Sequence, residues 1–327
     1  MSVVIPVRNS AATVAAAVAS ALAQDYPGPL EVVLAEGRSS DTSRAVIEAL
    51  AAEEPRVRVV VNPTGLTPCG LNAAIQASTG QVIVRCDAHA ELPPGYIAAA
   101  VATLEATGAG VVGGVQDAVG VTPFERAVAY AMANLLGSGG AAYRSVGEAG
   151  EVDTVYLGVF RRSALAAVGL YDESLQRNQD YDLNRRIAAS GRLVFFAPGL
   201  RVRYRPRGSL GALWRQYHAY GRWKRLVLRR SPSTGRVRQL AAPALVAGLI
   251  LSGALMATPW TSFGLVVPLL YVAAVLAAAV FEAVRHRDLA GLVVGAALPT
   301  MHLAWGTGFW RAGLHDPGPQ VPRLVNP

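Results

Sequence analysis

Three clusters of residues have the types and spacing that chemistry requires. Asp87-Ala88-His89 follows the apolar run Val82-Ile83-Val84-Arg85. A carboxylate and an imidazole two residues apart, beyond the end of a strand, can hold a divalent ion, Mg2+ or Mn2+, as a Lewis acid for a phosphate leaving group. Arg85 adds fixed positive charge beside them; the competing reading of Asp87 is a turn or cap residue. Gln179-Asp180-Tyr181-Asp182 opens a helical pattern continued by Leu183 and Ile187. Asp180 is the candidate general base for taking the proton of an attacking hydroxyl. Acids in a first helical turn also suit the helix dipole, with Asn178 as the N-cap. Glu31-Val32-Val33-Leu34-Ala35-Glu36 leads into the polar turn Gly37-Arg38-Ser39-Ser40-Asp41. Glu36 is placed there to accept from the ring N–H groups or the ribose of a nucleotide, while Ser39 or Ser40 can serve as a helix cap.

Other patterns carry less. Gly108-Ala109-Gly110-Val111-Val112-Gly113 fits G-x-G-x-x-G, but it precedes the apolar strand Val111–Val115 instead of following one, which is the wrong context for dinucleotide binding. His218, His286, His302 and His315 have no ligand spacing and read as structural. Cys69 and Cys86 make neither a disulfide framework nor a metal set, which suits a reduced compartment. Met1 runs straight into Val3-Val4-Ile5 without a basic leader, so no cleaved signal is expected.

The elements that must position these groups alternate. Val3–Ile5, Glu31–Leu34, Val57–Val61 and Gln81–Arg85 read as strands, separated by helical patterns over Ala11–Ala23, Thr42–Ala52 and Cys69–Ala77. Such alternation implies an α/β fold with a mostly parallel sheet, whose ligands bind beyond the carboxyl ends of the strands. Arg8-Asn9, Glu36, Asn62 and Asp87 all fall at those ends.

The 327 residues are 52% hydrophobic with a formal charge of +8, and neither property is evenly spread. Twelve of the 30 Lys and Arg lie between Arg201 and Arg238, a stretch without Asp or Glu; the other 18 are outnumbered by 22 acids. This local basic block abuts the first apolar segment, which points to anionic membrane lipids as partners. No nucleic-acid module or aromatic single-strand platform accompanies it, so nucleic acid is not expected as a partner. Three apolar segments without a charged residue follow, Leu240–Thr258, Phe263–Phe281 and Leu289–Trp310, each close to the ~20 residues that span a bilayer. Trp260, Trp305 and Trp310 stand near their ends. The positive-inside rule puts the basic block in the cytoplasm, returns the second segment to Arg285 and Arg287 inside, and sends the tail from His315 outside. Between domain and membrane, Ser209–Arg230 sets Leu210, Leu213, Trp214, Tyr217 and Tyr220 against Arg215, Arg222, Arg225 and Arg229. That pattern fits a helix in the headgroup plane, with a soluble helix packed on the catalytic domain as the alternative. The expected organisation is a domain over 1–205, a basic amphipathic interfacial segment over 206–238, three transmembrane helices over 239–311 and a flexible tail over 312–327.

Taken in order, these segments resemble family 2 glycosyltransferases of the GT-A fold. Val3-Val4-Ile5-Pro6-Val7-Arg8-Asn9 is similar to that family's first strand and nucleotide loop. Glu36-Gly37-Arg38-Ser39-Ser40-Asp41-Thr42 is similar to its D-G-G-S-T-D-G element, and Asp87-Ala88-His89 sits where its metal-binding Asp-x-Asp belongs. Gln179-Asp180 through Leu183 and Arg186 resembles its Glu-Asp-x-x-Leu-x-x-Arg signature, whose Asp is the catalytic base. Thr67–Ile75, Asp87–Ala90, Val155–Arg162 and Arg177–Asp182 further resemble the membrane glucosyltransferases of succinoglycan-type exopolysaccharide synthesis. Ser10, His89 and Gln179 depart from the family pattern, which has Glu, Asp and Glu there. Gln216…Arg222-Trp223 resembles the Q-x-x-R-W signature of processive synthases, with longer spacing.

The resemblance implies a Rossmann-like GT-A domain and an inverting, metal-dependent hexosyltransferase, with a UDP-sugar as donor and a polyprenyl-diphosphate-linked saccharide as acceptor. It implies that Pro6, Val7, Arg8, Glu36, Arg38, Asn72, Arg85 and Asp87 bind the donor, that Asp87 and His89 bind the metal, and that Asp180 is the base. Gly158, Phe160, Gln179, Gln216, Arg222 and Trp223 are expected at the acceptor. The expected setting is a bacterial cytoplasmic membrane, catalytic domain inside, within a polysaccharide assembly complex. Two rival readings stay open: transfer to polyprenyl monophosphate, and a catalytically silent scaffold of such a complex.

Overall fold

A computed structural model describes residues 1–140, 143, 147–230 and 237–315. The chain divides into two compact units, one built from Met1–Asp117 and the segment ending at Arg203, the other from the segment starting at Ala118 and the chain from Tyr204 onward. The tail expected beyond His315 lies outside the described residues.

The first unit follows the strand–helix alternation. Strands β1 (Ser2–Val7), β2 (Glu31–Glu36), β3 (Val57–Val61) and β4 (Val82–Arg85) are linked by α1 (Val14–Leu22), α2 (Ser43–Glu53) and α3 (Thr67–Ala77). After α4 (Tyr96–Thr107) comes β5 (Val111–Ala118). Following the insertion that holds α5 (Pro123–Ala133) and α6 (Leu135–Ser138), the sheet resumes with β6 (Gly150–Glu151) and β7 (Tyr156–Arg161), then α7 (Arg162–Val168), α8 (Gln179–Ala189) and β8 (Val194–Tyr204). The sheet order is β3-β2-β1-β4-β7-β5-β8-β6. Pairings among β1, β2, β3 and β4 are parallel; β7 joins β4 and β5 antiparallel. Helices cover both faces, so the strands read as continuous apolar runs: Val3, Ile5, Val32 and Leu34 serve one core, Val4, Val33, Ile83 and Phe160 the other.

The glycine-rich stretch with the misleading fingerprint has a different cause here. The β5–β7 register shifts between Val112 and Gly114. A Cβ at Gly113 would meet the Val155 side chain, and one at Gly114 would fall on the Leu200 carbonyl. Those glycines let neighbouring strands close on a bulge.

The second unit contains α5 and α6, then α9 (Leu210–Arg230), α10 (Ala241–Met256), α11 (Thr261–Gly264), α12 (Val266–His286) and α13 (Val294–His315). Three stretches, Val237–Met256, Thr261–His286 and Leu289–Ala312, are long and apolar enough to cross a membrane. Helix α5 opens with a complete capping box: Thr122 Oγ1 accepts from the Glu125 N–H, and the Glu125 carboxylate accepts from the Thr122 N–H. Helix α9 divides its apolar face between protein and solvent. Leu213 and Tyr217 are buried in a cluster with Ala127 and Ala131 of α5 and Leu298 and Met301 of α13, while Leu210 and Trp214 stay exposed. A Cβ at Gly221 would land on the Trp305 carbonyl, and one at Gly308 on the His218 carbonyl, so α9 and α13 touch backbone to backbone.

Candidate active site

The site grows from the carboxyl ends of the parallel strands. After β1, Asn9 takes a left-handed conformation (φ 51°) that turns its side chain back to the next loop. Its Oδ1 accepts from the Ser40 N–H at 2.8 Å, and its own N–H donates to Ser39 Oγ at 3.1 Å. Gly37 N donates to the Val7 carbonyl, and Arg8 Nη1 donates to the Gly65 carbonyl at 3.1 Å, drawing the loops after β1, β2 and β3 together. Of the residues expected at the nucleotide, Arg8 and Arg38 are exposed, Pro6 is half-buried and Val7 belongs to the core.

Glu36 is buried, and both its oxygens are used by its own loop: Oε1 accepts from the Ser39 N–H at 2.7 Å and Oε2 from the Arg38 N–H at 3.1 Å. Burial pushes its carboxyl up, but those N–H donors outweigh it and hold it below the usual range. Glu36 therefore shapes the turn, and a nucleotide base would share lone pairs already in use. Asn72 is likewise engaged: Nδ2 donates to the Tyr171 carbonyl and to Glu173 Oε1, both at 2.9 Å, and Oδ1 accepts from the Tyr171 N–H. It anchors the chain leading into α8 instead of facing open pocket.

Asp87 and Asp180, 93 positions apart in sequence, meet at one guanidinium. Arg85 is buried at the end of β4. Its Nε and Nη2 donate to Asp87 Oδ1 at 3.1 and 3.0 Å, and its Nη1 is paired with Asp180 Oδ1. The two carboxylates sit differently. The Asp180 side chain is 38% exposed against 19% for Asp87. Burial lifts the Asp180 carboxyl above its ordinary value, opposed by Arg85 and reinforced by Asp87. At Asp87 burial also pushes upward, but Arg85, His89 and Arg177 together hold the carboxyl low. One carboxylate poised upward and one held ionised is the division expected of a base and a cation-binding acid. Tyr171 is buried beside Arg85, and burial pushes its hydroxyl up.

The α8 signature separates into chemistry and architecture. Asp182 accepts from Arg186 Nε at 2.8 Å, and the same guanidinium binds the Val168 and Leu170 carbonyls, fastening α8 to the end of α7. Asn178 occupies the N-cap position in a left-handed conformation (φ 61°), but its side chain makes no capping bond. Gln179 is buried. That leaves Asp180 as the acid of this turn directed at Arg85.

Phe160, expected at the acceptor, is a core residue. It is 2% exposed, its ring stands edge-on to Tyr171, and a Cβ at Gly158 would collide with it. Strand β7 is enclosed on both faces, and the Phe160 ring packs against Tyr171. Gln216, Arg222 and Trp223 belong to the second unit. Gln216 Nε2 donates to the Tyr204 and Tyr220 hydroxyls, Trp223 is buried, and Arg222 is exposed.

Among the described residues no group of three or more His, Cys, Asp or Glu converges to cage a metal. Asp87 and His89 still fit an ion completed by its substrate. Both Arg85 contacts fall on one Asp87 oxygen, His89 is exposed and close enough to influence Asp87, and Mg2+ or Mn2+ ordinarily takes one or two protein ligands plus phosphate oxygens. Arg85, Tyr171 and Arg177 were not foreseen as a set. Only Arg85 stood out in sequence, through its place two residues before Asp87.

Comparison with known proteins follows the same lines. The sequence profile described as glycosyl transferase family 2 matches residues 2–169. Succinoglycan biosynthesis protein ExoA of Rhizobium meliloti (strain 1021) is 31% identical over 312 residues, covering 94% of this chain and 93% of that one. Among solved structures, the mannosyltransferase PcManGT from Pyrobaculum calidifontis, in complex with GDP-Man and Mn2+, superposes with a TM-score of 0.63 at 20% identity over 95% of this chain and 87% of its own. GalNAc-T7 with UDP, GalNAc and Mn2+ gives 0.50 at 19% identity over 71% of this chain and 50% of its own. At these identities the structural likenesses speak to the fold, which is GT-A.

Proposed function

This chain belongs to glycosyltransferase family 2, and from that premise we propose that it is an inverting, metal-dependent hexosyltransferase. In this reading a sugar, glucose first among the candidates, moves from a UDP-sugar to a polyprenyl-diphosphate-linked saccharide in bacterial exopolysaccharide synthesis. The likeness to ExoA along almost the whole chain supports the pathway class. The observation that carries the chemistry is Arg85 touching Asp87 and Asp180 at once, because it brings base and leaving-group corner within one side chain's reach.

The reaction is a single in-line displacement. The acceptor oxygen attacks the anomeric carbon, its proton passes to the Asp180 carboxylate, the bond to the diphosphate breaks, and UDP leaves with the electron pair. Asp87 and His89 would hold a divalent ion, which when bound supplies Lewis-acid stabilisation of the departing diphosphate. Arg85 neutralises Asp180 in the donor-free chain. Diphosphate oxygens arriving beside Asp87 compete for that guanidinium, which suits bidentate phosphate contact, and Asp180 is released to the acceptor. Arg8 and Arg38, exposed at the loop ends, complete the positive surround. Nucleotide sugars are made in the cytoplasm, so the catalytic unit faces that side of a bacterial cytoplasmic membrane.

Asp180→Asn tests the assignment in the detergent-solubilised full chain. UDP affinity is expected to stay within about twofold while transfer falls ~10²–10⁴-fold, the usual worth of a placed base. Wild-type turnover in that variant removes Asp180 from the role. If the unaltered chain releases no nucleotide from any UDP- or GDP-sugar with Mg2+ or Mn2+ and a lipid extract, the silent scaffold replaces the enzyme.

A further inference from the structure

The three apolar stretches are alike in length but not in surroundings. Helices α10 and α12 form an antiparallel hairpin: a Cβ at Gly264 would meet Ser252 and Met256, and one at Gly248 the Val267 side chain. The open end of the hairpin is basic on both sides, with Arg238 before α10 and Arg285 and Arg287 at the end of α12, while its turn over 257–260 carries no charge. By the positive-inside rule the open end is cytoplasmic.

Helix α13 touches that open end twice. Its entry rests on the last turns of α12, where a Cβ at Gly291 would strike Ala283 and one at Gly295 comes within 3.7 Å of the Ala279 Cβ. Its far half rests on the first turns of α10: a Cβ at Gly306 would reach the Ala242 carbonyl and Val246, and Trp310 Nε1 donates to the Pro243 carbonyl at 3.0 Å. Along its length α13 thus lies on α12 at its entry and on the first turns of α10 farther on.

The wrapping of α13 agrees. Of its apolar stretch 44% is buried, against 17% for α10 and 22% for α12. Ala297, Leu298, Met301 and Ala304 are buried in a cluster with residues of α5 and α9 and with Ala278 and Ala279 of α12. Helix α9 bears Arg222, Lys224, Arg225 and Arg229 and runs backbone to backbone with Trp305 and Gly308. The Arg225 guanidinium lies 4.9 Å over the Phe309 ring. This antiparallel pairing sets exposed Arg215 alongside the outer half of α13 together with Arg225, and hydrocarbon there would have to accommodate both cations, which a bilayer resists strongly.

We propose that the chain crosses the bilayer twice, through α10 and α12. Helix α13 stays on the cytoplasmic side as the core of a platform, built with α5 and α9, that rests on the headgroup layer of the inner leaflet. The platform's exposed apolar residues, Leu135 and Leu136 on α6 and Leu210 and Trp214 on α9, together with the exposed Arg222 and Arg229, suit an anionic lipid–water boundary. The tail beyond α13 then ends in the cytoplasm, opposite to the side given by counting three crossings. This placement is independent of which sugar or acceptor is used.

The test is sidedness in intact cells. Cys69 and Cys86 are both buried, so single cysteines can be introduced at Thr258, in the hairpin turn, and at exposed Arg311 in the full chain. A membrane-impermeant maleimide is expected to label Thr258→Cys in intact spheroplasts and Arg311→Cys only after permeabilisation, at least tenfold more than before. Equal labelling of both without permeabilisation overturns the proposal, and so does failure to label Thr258→Cys. Reporters fused after the last residue of the unaltered chain give a second reading that needs no substitution. A fluorescent protein active only in the cytoplasm should light up and an alkaline phosphatase active only outside should stay silent; the reverse pair of results refutes two crossings.

Discussion

Replacing Arg85 by Gln would leave Asp87 and Asp180 without the cation they share. Two unit charges ~4 Å apart attract by about 4 kcal/mol at an effective dielectric near 20, which bounds the Arg85–Asp180 interaction from above. The Asp180 side chain is 38% exposed, so water screens the pair and about half that figure is a reasonable remainder. Burial raises this carboxyl and Arg85 opposes that rise, so removing Arg85 moves the Asp180 carboxyl up. A general base works deprotonated, so the acidic limb of kcat/KM for the donor, which reports the free enzyme where Arg85 and Asp180 are paired, should shift to higher pH, with rate recovering as pH rises past it. Sugar transfer from radiolabelled donor, followed between pH 5 and pH 9 for both proteins, reads this directly. A limb that stays in place while the rate drops evenly at every pH refutes the reasoning. It would mean that Arg85 serves the diphosphate alone and does not set the charge of the base.

Phe160→Ala should cost ~3–5 kcal/mol of stability as a large-to-small core change, with acceptor KM nearly unmoved; a large KM change at normal melting temperature would return Phe160 to the acceptor. Asn72→Ala removes bonds to both sides of Tyr171 and should lower stability by about 1–3 kcal/mol, seen as a lower melting temperature, with reduced kcat as the chain before α8 loosens. Thr122→Ala deletes half of the α5 capping box and should cost ~0.5–2 kcal/mol by the same measurement. N–H groups at the start of α5, Thr122 first, hold the Glu125 carboxyl at about 2, so its contribution to stability is complete above the ordinary carboxylate range and fades as pH falls toward 2. Glu125→Gln should therefore flatten the acid side of a melting-temperature profile.

The parallel half of the sheet and the ordered polar strand ends are legible in the sequence because they depend on local pattern: apolar runs, helical spacing and the placement of Arg8, Glu36 and Asp87. What those side chains do once folded is not local. Glu36 and Asn72 look like ligand groups by type, yet both spend their hydrogen bonds on loops, one on its own turn and the other on a segment about 100 residues away. Phe160 is enclosed because β7 enters the sheet antiparallel between β4 and β5, where both faces are covered and alternation gives no sign of which side is open. The α5–α6 insertion left a readable trace in Thr122-Pro123-Phe124-Glu125, a capping box ahead of an apolar run.

Helix α13 marks where apolar content stops being informative. A segment hydrophobic all round is either in lipid or wrapped by protein, and hydropathy cannot separate the two. Helix α13 is entered past Gly291 and carries Gly306 and Gly308, which clear room for other backbones, while Thr300, His302 and Thr307 interrupt its apolar surface. His302 is bonded to the Tyr271 hydroxyl and to the Leu136 carbonyl of α6, tying α12 and the insertion to its middle. Glycines and polar partners of this kind seat a helix against other helices. A helix that seats α5 and α9 needs both, and this gives the basic face of α9 a protein support on which to meet the membrane.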